Sequence, residues 1–157
     1  MGEYRAVESE LDATGLRVGV VVARYNEPIT GALLAGCRSM LAARGAADSD
    51  ITVCWVPGAF ELPLVAKRLA TSGAVDAVVC LGAIVRGETA HFDYVAMGAT
   101  QGILQAGLDT GIPVVFGVLT VDTQQQALDR IGGKEGHKGE EAALTAIEMA
   151  GLLRRLP

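Results

Sequence analysis

The chain has 157 residues, half of them hydrophobic, and a formal net charge of -5 from 13 basic and 18 acidic side chains. That size and apolar content suit one domain with a sizeable core, and the absence of any Lys/Arg run excludes the electrostatic footprint of a nucleic-acid or membrane-surface protein. No apolar run approaches the roughly 18 residues that cross a bilayer, and MGEYRAVESELDATG is too polar for a secretory signal, so a cytoplasmic protein is expected.

Residues 1–15 read as a polar arm in front of a single domain, the whole chain 1–157 forming one unit. RVGVVVA (Arg17–Ala23), ITVCWV (Ile51–Val56), VDAVVCLGAIV (Val75–Val85) and IPVVFGVLTV (Ile112–Val121) are short β-branched runs, apolar enough for strands buried on both faces. Helical patterns lie between and after them over Glu27–Arg44, Glu61–Thr71, Phe92–Thr110 and Thr123–Ile131, with Gly45, Gly73, Gly111 and Gly132 as stops. In the last segment Ala143, Ile147, Ala150 and Leu153 keep helical spacing, with Glu140 and Glu141 at its start and Arg154 and Arg155 at its end, complementing the helix dipole. Strand and helix alternate throughout, which predicts an α/β protein: a four-stranded parallel sheet with helices on both faces and right-handed crossovers. Cys37, Cys54 and Cys80 are odd in number, apolar in setting and without CxxC spacing, and are expected to be inert buried thiols.

In such a sheet, ligands sit beyond the carboxyl ends of the strands. Those ends read ARYNEPIT, VPGAFELP, GAIVRGETAHFDYV and GVLTVDT. In RGETAH, the backbone N–H groups of Gly87, Glu88 and Thr89 can converge on an anion at a helix start, although a glycine turn with a capping threonine is also ordinary helix-start chemistry. His91, just beyond, is suited to general acid or base work near neutral pH, the alternative being a histidine satisfied by Glu88 or a backbone carbonyl. Arg86 reads as a structural ion pair or subunit contact, and Asp93 as a residue that orients a neighbour or caps the helix. Tyr25 with Asn26 can stack on and hydrogen-bond a planar heterocycle, or Tyr25 can seal the strand end. Phe60 and Glu61 stand between Pro57 and Pro63, where a carboxylate can meet hydroxyls. Arg130 complements a helix C-terminus or serves a site, Lys138 is a solvated cation or serves one, and His137 lies in a polar loop as a weaker catalytic candidate.

Taken together and in this order, ARYNEPIT, VPGAFELP, GAIVRGETAHFDYV, GVLTVDT and DRIGGKEGHKG resemble the lumazine synthase family, over nearly the whole chain. The resemblance implies a flavodoxin-like three-layer sandwich assembled as a homopentamer, with hollow icosahedral shells of pentamers as a further option, and riboflavin synthase as an optional partner. It implies condensation of two small-molecule substrates, 5-amino-6-ribitylaminouracil and 3,4-dihydroxy-2-butanone 4-phosphate, into 6,7-dimethyl-8-ribityllumazine, with no metal or organic cofactor. It also implies roles. Tyr25 stacks on the pyrimidine; Asn26, Ala59, Phe60, Glu61, Ile84 and Val85 line the pyrimidine and ribityl pocket; Gly87, Glu88 and Thr89 hold phosphate; His91 shuttles protons. Phe116, Arg130 and Lys138 of an adjacent subunit complete the pocket, Arg130 on the phosphate and Lys138 near the pyrimidine. The family usually has phenylalanine or tryptophan where Tyr25 stands, and commonly asparagine in place of His137. A non-catalytic lumazine or flavin carrier and a structural shell protein on the same fold are the rival readings, against which the presence of His91 and Arg130 argues.

Overall fold

The computed structural model describes residues 2–157. Four parallel strands, β1 (Val18–Ala23), β2 (Ile51–Val56), β3 (Ala77–Val85) and β4 (Val114–Val121), form one sheet in the order β2-β1-β3-β4. Helices α1 (Glu27–Ala43) and α5 (Lys138–Arg155) cover one face, and α2 (Leu62–Thr71) and α3 (His91–Thr110) the other, which gives the three layers expected. The side chains sort by strand periodicity. On β1, Val18, Val20 and Val22 enter the core beneath α1 and α5, whereas Val21 and Ala23 enter the core beneath α2 and α3.

The central strands β1 and β3 are buried on both faces, as their uninterrupted apolar runs require. The outer strands depart from that expectation. β2 is only partly buried along most of its length, and β4 leaves Phe116 and Thr120 open, because each has a neighbour on one side only.

The expected helix over Thr123–Ile131 is shorter, α4 (Gln124–Leu128), capped by the Thr123 hydroxyl accepting from the Gln126 N–H. Ile131 instead opens a small antiparallel hairpin, β5 (Ile131–Gly133) with β6 (Gly136–His137). Its turn depends on backbone that favours glycine, with φ of 104° at Gly132 and 78° at Gly136. A 3-10 turn, Ala59–Glu61, precedes α2, so that helix begins one residue later than expected, and α3 begins one residue earlier, at His91.

The crossovers run to opposite sides at β1 and β3. From β1 the chain passes through α1 to β2 on one side, and from β2 through α2 back to β3 on the other. That reversal leaves a crevice outside the carboxyl ends of β1 and β3, the position at which this class of sheet holds its ligands.

Candidate functional site

The crevice is lined from three strand exits. After β1 the backbone is anchored to the exit of β2, the Arg24 N–H donating to Val56 O (2.8 Å) and the Tyr25 N–H to Pro57 O (3.0 Å). Asn26 then takes a left-handed conformation, φ 64°, and its Nδ2 donates to Ala83 O of β3 at 2.8 Å. This bond pins the β1 exit to the β3 exit and, among the described residues, leaves the Asn26 side-chain oxygen without a hydrogen-bond donor. Tyr25 is two-thirds exposed, its ring lying against Gly58 so closely that a Cβ there would come within 2.6 Å of it. Gly58 is therefore required by the aromatic ring rather than by the backbone.

On the opposite wall the Phe60 ring covers Gly98 of α3, where an added Cβ would approach it to 2.6 Å, and Pro63 covers Gly102 one turn on. Small residues on α3 thus let the 3-10 turn sit close. Glu61 is held by accepting the Gly58 N–H on Oε2 at 3.0 Å, which leaves Oε1 as an oriented acceptor.

From β3 the chain runs through Gly87, Glu88, Thr89 and Ala90 into α3. Among the described residues, the N–H groups of these four have no hydrogen-bond acceptor, whereas the His91 N–H donates to Thr89 Oγ1 (3.3 Å). Gly87 does not have a positive φ, and a Cβ there would meet nothing within 4 Å. The fold itself has no need of a glycine at this position. Four N–H donors without an internal acceptor at the start of a 20-residue helix, beside its positive end, are an arrangement that can hold an anion.

Two cavities meet in this crevice. One, of about 220 Å³, is lined by Tyr25, Asn26, Ala59, Ile84, Val85, Gly87, Thr89 and His91; the other, of about 440 Å³, by Tyr25, Ala59, Phe60, Glu61, His91 and Tyr94. Tyr25, Ala59, His91 and Val95 are common to both. The His91 side chain is exposed and has no hydrogen-bond partner among the described residues, so neither Glu88 nor a backbone carbonyl satisfies it. Tyr94 and Val95, not singled out from the sequence, follow His91 by three and four residues. Helical periodicity puts them on its face of α3, and that was the signal available for them.

Phe116, Arg130 and Lys138 lie elsewhere in the chain, along a depression of about 580 Å³ beside β4 that shares no lining residue with either cavity. The hairpin joins two of them, the Lys138 N–H donating to Arg130 O at 2.9 Å. One Arg130 Nη donates to Gln126 O (2.8 Å), as a cation near the end of α4 should, and the rest of its fork has no partner among the described residues. Lys138 is not a freely solvated cation: its Nζ stands 2.8 Å from Glu141 Oε2.

His137 caps a helix. Its Nδ1 accepts the N–H groups of Gly139 (3.1 Å) and Glu140 (3.4 Å), and its ring packs on Gly36 of α1. The loop is thus less open than its composition suggests. Arg86 makes the structural ion pairs expected of it, with Asp122 and Asp93, and the Asp122 hydrogen bond raises its pKa above the ordinary guanidinium value. Burial pushes the thiols of Cys37 and Cys80 up to about 12, as inert core cysteines require, whereas Cys54 on the outer strand is only half-buried. Among the described residues, no group of three or more His, Cys, Asp or Glu is placed to hold a metal ion. No helix there is long and apolar enough to cross a membrane.

The family model described as 6,7-dimethyl-8-ribityllumazine synthase matches residues 15–154, which takes in every strand, every helix except the last residue of α5, and both sets of candidate residues.

Proposed function

The chain belongs to the 6,7-dimethyl-8-ribityllumazine synthase family, transferase-type enzymes of riboflavin biosynthesis that act on small molecules, and we propose that it condenses 5-amino-6-ribitylaminouracil with 3,4-dihydroxy-2-butanone 4-phosphate, releasing phosphate and water. The observation that carries this reading is the position of His91, common to a cavity with an anion cradle and a cavity with an aromatic face and an oriented carboxylate. A phosphate on the free N–H groups of Gly87–Ala90 sets the four-carbon substrate in the smaller cavity. The pyrimidine stacks on Tyr25, and its ribityl hydroxyls donate to Glu61 Oε1. The two reactants then meet beside one imidazole.

The chemistry asks for little more. An amine and a ketone that are already reactive need to be held in contact, and protons must be moved as the imine forms, phosphate leaves and the ring closes. An imidazole that alternately gives and takes a proton serves all three steps. His91 has this role, free of any internal hydrogen bond that would have to be broken first.

Phe116, Arg130 and Lys138 act from the neighbouring subunit of a ring. Two features support this: the depression that they line is separate from the His91 crevice, and the back of α3, opposite the core, carries exposed Met97, Leu104 and Leu108. A solvent-facing helix stripe of that kind calls for a partner. Arg130, with most of its fork free, adds a charge-assisted contact to the phosphate, and Lys138 comes near the pyrimidine.

The test is phosphate release and lumazine absorbance on mixing purified protein with both substrates, against a protein-free control that measures unaided condensation. Saturable acceleration is expected. Tight lumazine or flavin binding without acceleration would replace this reading by that of a carrier, and neither activity nor binding would leave a shell protein.

A further inference from the structure

Arg86 immediately precedes the anion cradle and makes more contacts than an ordinary surface cation. Its Nε donates to Asp122 Oδ1 at 2.7 Å, its Nη1 to Asp93 Oδ1 at 3.4 Å, and its guanidinium carbon sits 4.2 Å from the centroid of the Phe92 ring. Its backbone N–H is bound as well, donating to Val121 O at 2.8 Å. Asp122 is the first residue beyond β4, and Phe92 and Asp93 belong to the first turn of α3, directly after His91. One planar cation therefore ties together the exits of two strands and the start of the helix that bears His91. Gly87–Ala90 is suspended between the points it joins.

Stability does not account for this arrangement. The three charged side chains are 47%, 60% and 64% exposed, and ion pairs that open to water contribute little. What the arrangement does provide is geometry. A guanidinium offers a rigid fork and a flat face at once, which an ammonium does not.

We propose that Arg86, anchored by Asp122, is the positioning residue of the anion cradle: it fixes the N–H groups of Gly87–Ala90 and the imidazole of His91 relative to one another. The inference rests on reading that turn as the phosphate site. Arg86 itself touches no substrate.

The sign of one effect separates positioning from simple electrostatics. Removing the Asp122 carboxylate takes a negative charge from beside the phosphate, so charge alone predicts a lower KM for 3,4-dihydroxy-2-butanone 4-phosphate. Positioning predicts a higher one. We expect Asp122→Ala and Arg86→Lys each to raise that KM roughly tenfold, within the hundredfold that a misplacement of about 1 Å can cost. The KM of the pyrimidine substrate should stay unchanged. The double variant should be no worse than either single one, because each removes the same clamp. Asp122→Asn, whose amide oxygen still accepts from Arg86 Nε, should restore most of the loss.

The assembled mass of each variant is measured alongside, and if Asp122→Ala fails to assemble, Arg86→Lys against Asp122→Asn decides the matter. An unchanged or lowered KM in Asp122→Ala, with wild type active, would overturn the inference alone. Wild-type protein that neither turns over nor binds inorganic phosphate would overturn the phosphate reading and the inference with it.

Discussion

If the two groups of site residues come from neighbouring subunits, two inactive variants should repair one another. His91→Ala removes the proposed proton carrier from the crevice, and Arg130→Ala removes the proposed phosphate contact from the depression beside β4, which shares no lining residue with that crevice. In a ring each site takes its crevice from one subunit and its depression from the next. When the variants are unfolded together in equal amounts and reassembled, the chance that the first carries His91 is one half, and the chance that the second carries Arg130 is one half. About one quarter of the sites are then wholly wild type, so the mixture should regain about 25% of wild-type turnover under random mixing in a cyclic assembly. The assay is lumazine formation at a phosphate-substrate concentration well below the KM of the Arg130→Ala protein, where both parents are nearly silent. Varying the ratio should trace the product of the two fractions, with its maximum at equal amounts. A mixture no more active than its parents, despite mass measurements showing mixed rings, would refute the shared site.

Gly87→Ala should leave the melting temperature unchanged, since a Cβ there meets nothing within 4 Å and φ is not positive, yet should raise the KM for the phosphate substrate severalfold; a loss of stability instead would mean that the fold needs the glycine. His137→Ala deletes the acceptor at the start of α5 and should cost about 1 kcal/mol, lowering the melting temperature by roughly 2–4 °C, with His137→Asn close to wild type because an amide oxygen can cap in its place. At pH 8 a thiol reagent should modify Cys54 in the native protein and spare Cys37 and Cys80 until it unfolds; rapid native modification of all three would contradict their burial. The thiols of Cys37 and Cys80 are raised from 9.0 to about 12 in the folded chain, so the unfolded chain loses those protons first. Their contribution to stability is therefore complete below pH 9 and declines as pH rises from there toward 12, a slope that Cys80→Ala should reduce in alkaline denaturation curves.

Much of this protein is written locally. Uninterrupted Val/Ile/Ala runs can only be satisfied with apolar neighbours on both faces, and helical repeats ending at glycines can only lie across such a sheet. The four strands and their helices are accordingly legible to within two residues at most ends. The local arrangement of GAIVRGETAHFDYV is legible for the same reason: N–H groups without an internal acceptor at a helix start and an imidazole one step further on depend on adjacent residues. Other features needed the folded chain. The shortening of α4 and the hairpin that joins Arg130 to Lys138 depend on glycine backbone geometry at Gly132 and Gly136, where composition alone suggested a longer helix. His137 looks like a loop residue until α1 supplies Gly36 beneath its ring. Only the order β2-β1-β3-β4 brings Tyr25, Glu61 and His91 to one crevice and leaves Phe116 on an outer strand, outside the crevice lining. Residues dozens of positions apart meet there because strand pairing and helix packing satisfy the chain's backbone and apolar surface as a whole, and no local pattern records which strand pairs with which.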